Sequence, residues 1–94
     1  MKVKLNEDDL GIIINGLFQY WECFDDDTNN AIAMLVLRLV EESNTIKTNR
    51  KKKIPFTAEE ISLIRVCLIE WRNEEIQNNN AVATQVIGEV LILF

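Results

Sequence analysis

The chain has 94 residues and a formal net charge of −5; 48% of the residues are hydrophobic, with one proline, three glycines and no histidine. This composition argues against a disordered chain or a turn-rich β-sandwich, and the missing histidine removes the commonest general base and metal ligand. We therefore predict one small helical domain, or two very small ones, that is not an enzyme and holds no metal or cofactor.

The sequence also bears on the compartment. Its longest apolar stretch, Ala31 to Leu37, is too short to span a bilayer, and the first ten residues carry five charges and no apolar run of the secretory type. Cys23 and Cys67 have no framework of further cysteines and are interpreted as reduced thiols. A cytoplasmic protein without membrane contact is expected.

A helix-start signal stands close to the N-terminus. Asn6 fits an N-cap, Glu7 to Asp9 fit the first turn, and Leu5 and Leu10 flank the cap as a hydrophobic staple. Apolar residues then follow the helical period at Leu10, Ile13, Leu17, Trp21 and Phe24. This spacing predicts the first helix.

The polar run Asp25 to Asn30 is predicted to end that helix and to cap a second one, from about Ala31 to Glu42. Nine of the ten residues from Ala31 to Val40 are apolar, which is more than one buried stripe needs. Part of this helix should therefore face something other than its own hairpin.

Ser43 to Pro55 is polar and strongly basic, and it contains the only proline. We interpret it as a solvated linker, with a binding role toward phosphate or an acidic partner as the alternative. Outside the seven-residue window 47–53 the chain has fifteen acidic and five basic residues. The fold is therefore acidic, whereas the linker is basic. The basic patch in that window is formed by Lys47, Arg50, Lys51, Lys52 and Lys53.

An internal repeat relates the two halves of the chain. Thr57 takes the place of Asn6 as a cap, with Glu60 three residues later and the staple Phe56 and Ile61 around it. A polar run from Asn73 to Asn80 then precedes a helix from about Ala81 to Leu93. Six residues of the first half recur identically in the second, with Asn29, Asn30, Ala31, Ala33, Val36 and Val40 falling on Asn79, Asn80, Ala81, Ala83, Val86 and Val90.

The repeat predicts an all-α fold, a tandemly duplicated αα-hairpin that forms a four-helix bundle-like unit with a pseudo-two-fold axis. Residues 1–42 are the first hairpin, 43–55 the basic linker and 56–94 the second hairpin. Exchange of hairpins between chains is the alternative, because the linker is long enough to permit it. Gly16 aligns with Cys67, and a small residue there in both copies would let helices approach closely; Cys67 is also expected in the core.

Two groups of charged residues are candidates for partner binding. The acids near the hairpin loops could imitate a phosphate backbone or could simply keep the protein soluble; they are Asp25, Asp26, Asp27, Glu74 and Glu75. Alternatively, an oligomer seam could hold a small anionic ligand, with Arg38, Arg65 or Arg72 meeting its negative charge, because guanidinium groups suit phosphate and carboxylate.

The surplus of apolar residues on the second helix and at the chain end predicts a homo-oligomer, most simply a dimer. The proposed oligomer seam consists of Leu35, Leu39, Leu91 and Phe94.

The capping Asn6 or Thr57, the paired acids after it and an aromatic late in the helix, Tyr20 or Trp71, resemble the pattern of small helical accessory proteins of bacteriophages. This resemblance implies a protein of the bacterial or phage-infected cytoplasm that binds and blocks or sequesters a host component. We therefore expect a non-catalytic interaction protein that inhibits or sequesters a protein partner or a small anionic ligand. The alternative is a nucleic-acid-binding accessory protein that uses the basic linker.

Overall fold

The computed structural model describes residues 1–46 and 50–94, so Lys47 lies outside the described residues. The four predicted helices are present, and two short strands accompany them. In chain order the elements are β1 Lys2–Leu5, α1 Glu7–Gln19, α2 Asp26–Thr45, β2 Lys52–Pro55, α3 Ala58–Gln77 and α4 Ala81–Ile92.

Both predicted capping boxes are confirmed. The Asp9 amide donates to Asn6 Oδ1 at 2.8 Å, and the Asn6 amide donates back to Asp9 Oδ2 at 3.1 Å. Thr57 and Glu60 form the same reciprocal pair at the start of α3, at 3.1 and 2.9 Å. Each box satisfies amide groups that a helix start would otherwise leave unpaired.

The two strands correct the prediction of a purely helical fold. β1 and β2 pair antiparallel, with Val3 opposite Ile54 and Lys4 opposite Lys53. Val3, Leu5 and Ile54 are buried while the lysines beside them are exposed. This alternation of buried and exposed residues is typical of a half-buried strand. In a sequence segment this short and basic, the same pattern is difficult to distinguish from a polar linker. We call this antiparallel pair the basic ribbon.

The predicted linker 43–55 is therefore partly regular structure. Its first residues, Ser43 to Thr45, are the last turn of α2, and Lys52–Pro55 is the strand β2. Lys52 Nζ lies 2.8 Å from Glu42 Oε2, which connects the strand to the end of α2.

The helices extend into both polar runs that were predicted to separate them. Asp25 is the N-cap of α2 and accepts a hydrogen bond from the Thr28 amide at 2.7 Å, so the helix begins five residues before Ala31. α3 continues to Gln77. Polar residues are compatible with a helix wherever its turns face solvent, and acids in a first turn suit the positive end of the helix dipole.

Equivalent positions in α2 and α4 also differ from those that the alignment of the two sequence halves gives. Counted from the N-caps Asp25 and Asn80, Ile32 matches Ile87 and both are buried. The alignment instead placed the buried Leu35 on the exposed Gln85. The six identities therefore do not mark equivalent positions, because burial follows the distance from the cap.

α1 lies at the centre of the fold, packing against α2 and α3, while α4 packs mainly on α3. Gly16 of α1 is buried against Leu68 and Trp71, which confirms the predicted close helix approach, and Cys67 is buried as predicted. Among the described residues the buried core is entirely apolar. Val3 and Ile54, which face each other in the ribbon, are separated by the same number of residues as the caps Asn6 and Thr57.

Candidate protein-binding surface

One face of α2 exposes large apolar side chains. Met34 is 69% exposed and Leu37 is 62% exposed, and Phe18 of α1 beside them is 61% exposed. This confirms that the apolar run Ala31 to Val40 is not entirely covered by its own hairpin. The α2 surface, as we name it, comprises Phe18, Trp21, Ala33, Met34, Val36 and Leu37.

An apolar hollow of about 210 Å³ lies on the α1 side of this surface. Its walls come from the end of α1, the turn after it and the middle of α2, and all of its lining residues are apolar: Phe18, Trp21, Ala33, Val36 and Leu37. The Phe18 and Trp21 rings are tilted at 47° with centroids 5.9 Å apart. Such a hollow can accept an apolar side chain.

A second hollow, of about 370 Å³, lies on the other side of α2, toward the start of α3. Met34 and Leu63 contribute apolar walls, and Glu59 lies at its acidic edge. Met34 and Leu37 therefore form a ridge with a depression on each side.

Arg38 is held within the fold. Its Nη2 lies 2.7 Å from Glu60 Oε2, its Nη1 donates to the Pro55 carbonyl at 2.9 Å, and its guanidinium carbon lies 5.2 Å from the Phe56 ring centroid. These contacts fasten α2 to β2 and α3. Since its charge is paired with Glu60 and both of its terminal nitrogens already donate within the fold, Arg38 is a poor candidate for the predicted anion site.

The other two candidate arginines lie elsewhere. Arg65 is exposed on α3, whereas Arg72 lies against Gly88 of α4 and lines a hollow of about 540 Å³ at the tip of the second hairpin. The three arginines thus lie in different parts of the fold.

The residues of the predicted oligomer seam do not form one exposed surface. Leu35 and Leu39 are buried in the core, because they lie on the same stripe of α2 as Ile32. Leu91 and Phe94 are half-buried and pack against that core, with the Phe94 ring edge-on to Phe56 at 5.6 Å. Leu35 and Leu39 are therefore unavailable to a second chain, and the accessible apolar stripe of α2 is the opposite one.

The candidate acids belong to two segments, the start of α2 with its N-cap and the last turns of α3. Gln19 Nε2, at the end of α1, donates to Glu74 Oε2 at 3.0 Å, so the α1–α2 loop lies beside the last turns of α3. Asp26 and Asp27 are exposed in the first turn of α2. Hydrogen bonds from Thr28 lower the pKa of Asp25 below its usual value.

Two of the acids also have partners inside the fold. Glu75 Oε1 accepts a hydrogen bond from Trp71 Nε1 at 3.3 Å. Tyr20 packs against α3, where burial together with the nearby Glu74 and Glu70 carboxylates raises its pKa above the usual value. Glu74 and Glu75 thus take part in packing, whereas Asp26 and Asp27 are exposed.

The charge around the α2 surface is strongly one-sided. From residue 7 to residue 45 the chain carries nine acids and a single base, Arg38, which is already paired with Glu60. A ligand on the α2 surface would therefore meet an apolar ridge in a negative field.

The sequence contained a signal for this surface. Met34, Leu37 and Val40 recur every third residue, opposite the buried positions Ile32, Leu35 and Leu39. Two apolar stripes on one helix indicate two contacts, but which stripe faces the core depends on how α1 and α3 pack.

The described residues contain no cluster of histidine, cysteine, aspartate or glutamate that could hold a metal ion. Burial raises the pKa of the Cys67 thiol to about 11, and the Cys23 thiol, also nearby, adds to the shift. None of the helices in the described part of the chain is both long and apolar enough to cross a membrane.

Comparison of the chain with protein-family models, with curated proteins and with solved structures finds no match. Function is therefore inferred from the geometry and charge of the surfaces described.

Proposed function

We propose that this protein acts by stoichiometric binding to another protein, and that the α2 surface docks a basic amphipathic helix of its partner. The observation that carries the proposal is the exposed ridge of Met34 and Leu37, with an apolar hollow beside it, in a segment of nine acids and one paired base. Exposed apolar patches of this kind are typical of interaction sites.

The second hairpin offers an internal comparison. Met34 is the ninth residue after the α2 cap, and the ninth residue after the α4 cap is the exposed Glu89. A hairpin of this fold therefore accepts a charged residue at that position. Folding alone does not account for the methionine, which supports a role in binding.

The shape of the surface favours a helical partner. A ridge between two depressions matches the packing of one helix against another, in which side chains three and four residues apart fill the grooves. The acidic surroundings favour lysine and arginine around the apolar face of the partner. A second copy of this chain is disfavoured, because a two-fold dimer would bring the same acidic surface against itself.

Binding and sequestration of a host protein is also what the resemblance to bacteriophage accessory proteins implies. The proposal includes a tandem duplication, in which the first hairpin holds the binding surface. The ribbon supports this part, because an antiparallel pair centred on Val3 and Ile54 is consistent with a two-fold relation between two equivalent halves.

The binding test uses a synthetic amphipathic helix of leucine and lysine, titrated into the full-length protein by calorimetry. We expect one peptide per chain and an affinity that falls as salt rises, whereas a peptide of leucine and glutamate should not bind. Leu37→Asp should weaken binding by about tenfold or more, the loss typical of a central apolar contact.

Ile92→Asp is the matched control, since Ile92 is the twelfth residue after its cap, as Leu37 is, and is 83% exposed. It should leave binding unchanged. The triple change D25N, D26N and D27N preserves the cap, because asparagine caps a helix as well as aspartate, and should reduce the salt dependence. Equal losses from Leu37→Asp and Ile92→Asp would contradict the assignment of the site to α2.

A further inference from the structure

The basic ribbon brings together lysines that are far apart in sequence. Lys4 stands directly opposite Lys53, and Lys2 stands opposite Pro55 on the same face. All four residues are exposed, whereas Val3 and Ile54 between them point into the core. The interpretation of residues 43–55 as a basic linker missed the contribution of Lys2 and Lys4.

In the part of the chain that the structure describes, no acid forms an ion pair with a lysine on this face. Among the residues that the structure describes, the two ion pairs are Lys52 with Glu42 and Arg38 with Glu60, and neither uses Lys2, Lys4 or Lys53. Like charges directly opposite each other on a strand pair are destabilising. The exposed face of the ribbon thus carries a concentrated positive charge that neither of these ion pairs neutralises.

We propose that the basic ribbon binds duplex DNA, with Lys2, Lys4 and Lys53 contacting phosphates along the major groove. That groove, about 12 Å wide in B-form DNA, admits a two-stranded β-ribbon. Alternate residues of a strand lie about 7 Å apart, so Lys2 and Lys4 reach different phosphates along the same groove. Arg50 and Lys51, both exposed, continue the positive charge into β2.

The acidic residues of the fold determine which side of the protein can face the DNA. α1 starts at the end of β1 and is about 20 Å long, so the acidic loop after it lies at the far end of the molecule. Glu7, Asp8 and Glu59, exposed at the helix starts beside the ribbon, limit the affinity. Because these contacts are to phosphates, binding should be independent of base sequence.

The proposed ligand, duplex DNA, differs from duplex RNA in the shape of its major groove, because duplex RNA has A-form geometry. Its major groove is deep and narrow, and side chains do not enter it readily. The ribbon should therefore bind duplex DNA more tightly than duplex RNA or single-stranded DNA.

The test measures fluorescence anisotropy of a labelled duplex of about two helical turns at several salt concentrations, with the full-length chain. Each phosphate contact contributes about −0.9 to the slope of log K against log salt. Lys4→Gln should reduce the magnitude of the slope by about that amount. Arg65→Gln, the matched control, removes one exposed positive charge outside the ribbon and should change it far less.

Thermal unfolding separates binding from folding. Lys4→Gln removes the repulsion with Lys53, so its melting temperature at low salt should be equal to or above that of the unmodified protein. The proposal is overturned if the duplex does not bind at about 50 mM salt, if Arg65→Gln changes the slope as much as Lys4→Gln, or if RNA duplex or single-stranded DNA binds as tightly as the DNA duplex.

Discussion

Gly16 of α1 and Leu68 of α3 are packed so closely that a Cβ atom at Gly16 would lie 2.8 Å from Leu68 Cδ2 and 3.3 Å from Trp71 Cε3. Real Cβ atoms do not approach a neighbour so closely, so an added methyl group must displace the buried Leu68 side chain. The contact between the two hairpins thus depends on the missing side chain.

Gly16→Ala should lower the free energy of unfolding by about 1 kcal/mol, because overpacking outweighs the gain in helix propensity. Gly11→Ala is the control, since a Cβ at Gly11 would have no neighbour within 4 Å apart from the adjacent residues and the backbone of its own helix. It should raise the free energy of unfolding by up to about 1 kcal/mol. Urea denaturation of both variants checks the pair, and a stabilising Gly16→Ala would show that Leu68 has room to move.

Removal of the Arg38 side chain should weaken the junction of α2 with β2 and α3. Arg38 and Glu60 are 33% and 25% exposed, so solvent partly screens their ion pair. The hydrogen bond to Pro55 and the contact with Phe56 are lost as well, and we expect Arg38→Ala to cost about 1 to 2 kcal/mol in the free energy of unfolding. Arg65→Ala, at an exposed position of α3, should cost less than about 0.5 kcal/mol in the same urea titration.

The capping box of α1 provides a third test. Asn6→Ala removes the oxygen that accepts the Asp9 amide and should reduce the free energy of unfolding by about 1 kcal/mol. Asn6→Asp keeps an acceptor in the same place and should have little effect. Chemical denaturation separates these outcomes, and equal losses in both variants would mean that another property of Asn6 matters.

The protein should lose stability between about pH 9 and pH 11. In the unfolded chain the Cys67 thiol ionises near the ordinary cysteine pKa of 9.0, but burial raises its pKa to about 11 in the folded protein. Within that window the folded state holds the proton that the unfolded state has released, so the free energy of unfolding falls as pH rises. The raised pKa of Tyr20 acts in the same direction.

Cys67→Ala should weaken this pH dependence while lowering stability at neutral pH through the small cavity it leaves. Cys23→Ala is the matched control, because Cys23 is exposed and its removal leaves burial, the larger cause of the raised Cys67 pKa, in place. Thermal melts across the alkaline range give both slopes, and an unchanged slope in Cys67→Ala would assign the alkaline loss to other groups.

Local signals predicted the elements that depend on neighbouring residues. The caps at Asn6 and Thr57 could be identified because a capping box is completed within four residues. The helical period located α1 and α3, although α1 ends at Gln19, before the apolar positions Trp21 and Phe24 that the period included. The small residues at Gly16 and Cys67 indicated the close approach that the structure contains. The surplus of apolar residues on α2 could also be recognised from the sequence, because counting the apolar positions is enough to show it.

Tertiary packing decided what no local pattern could. The strands form because Val3 and Ile54 meet across the fold, and four residues of alternating pattern in a basic segment are too weak a signal without a partner strand. The choice between the two apolar stripes of α2 was likewise open, because Leu35 and Leu37 are equally hydrophobic. Contact with the rest of the core buries Leu35 and leaves Leu37 exposed, and it is this outcome that places the proposed binding surface.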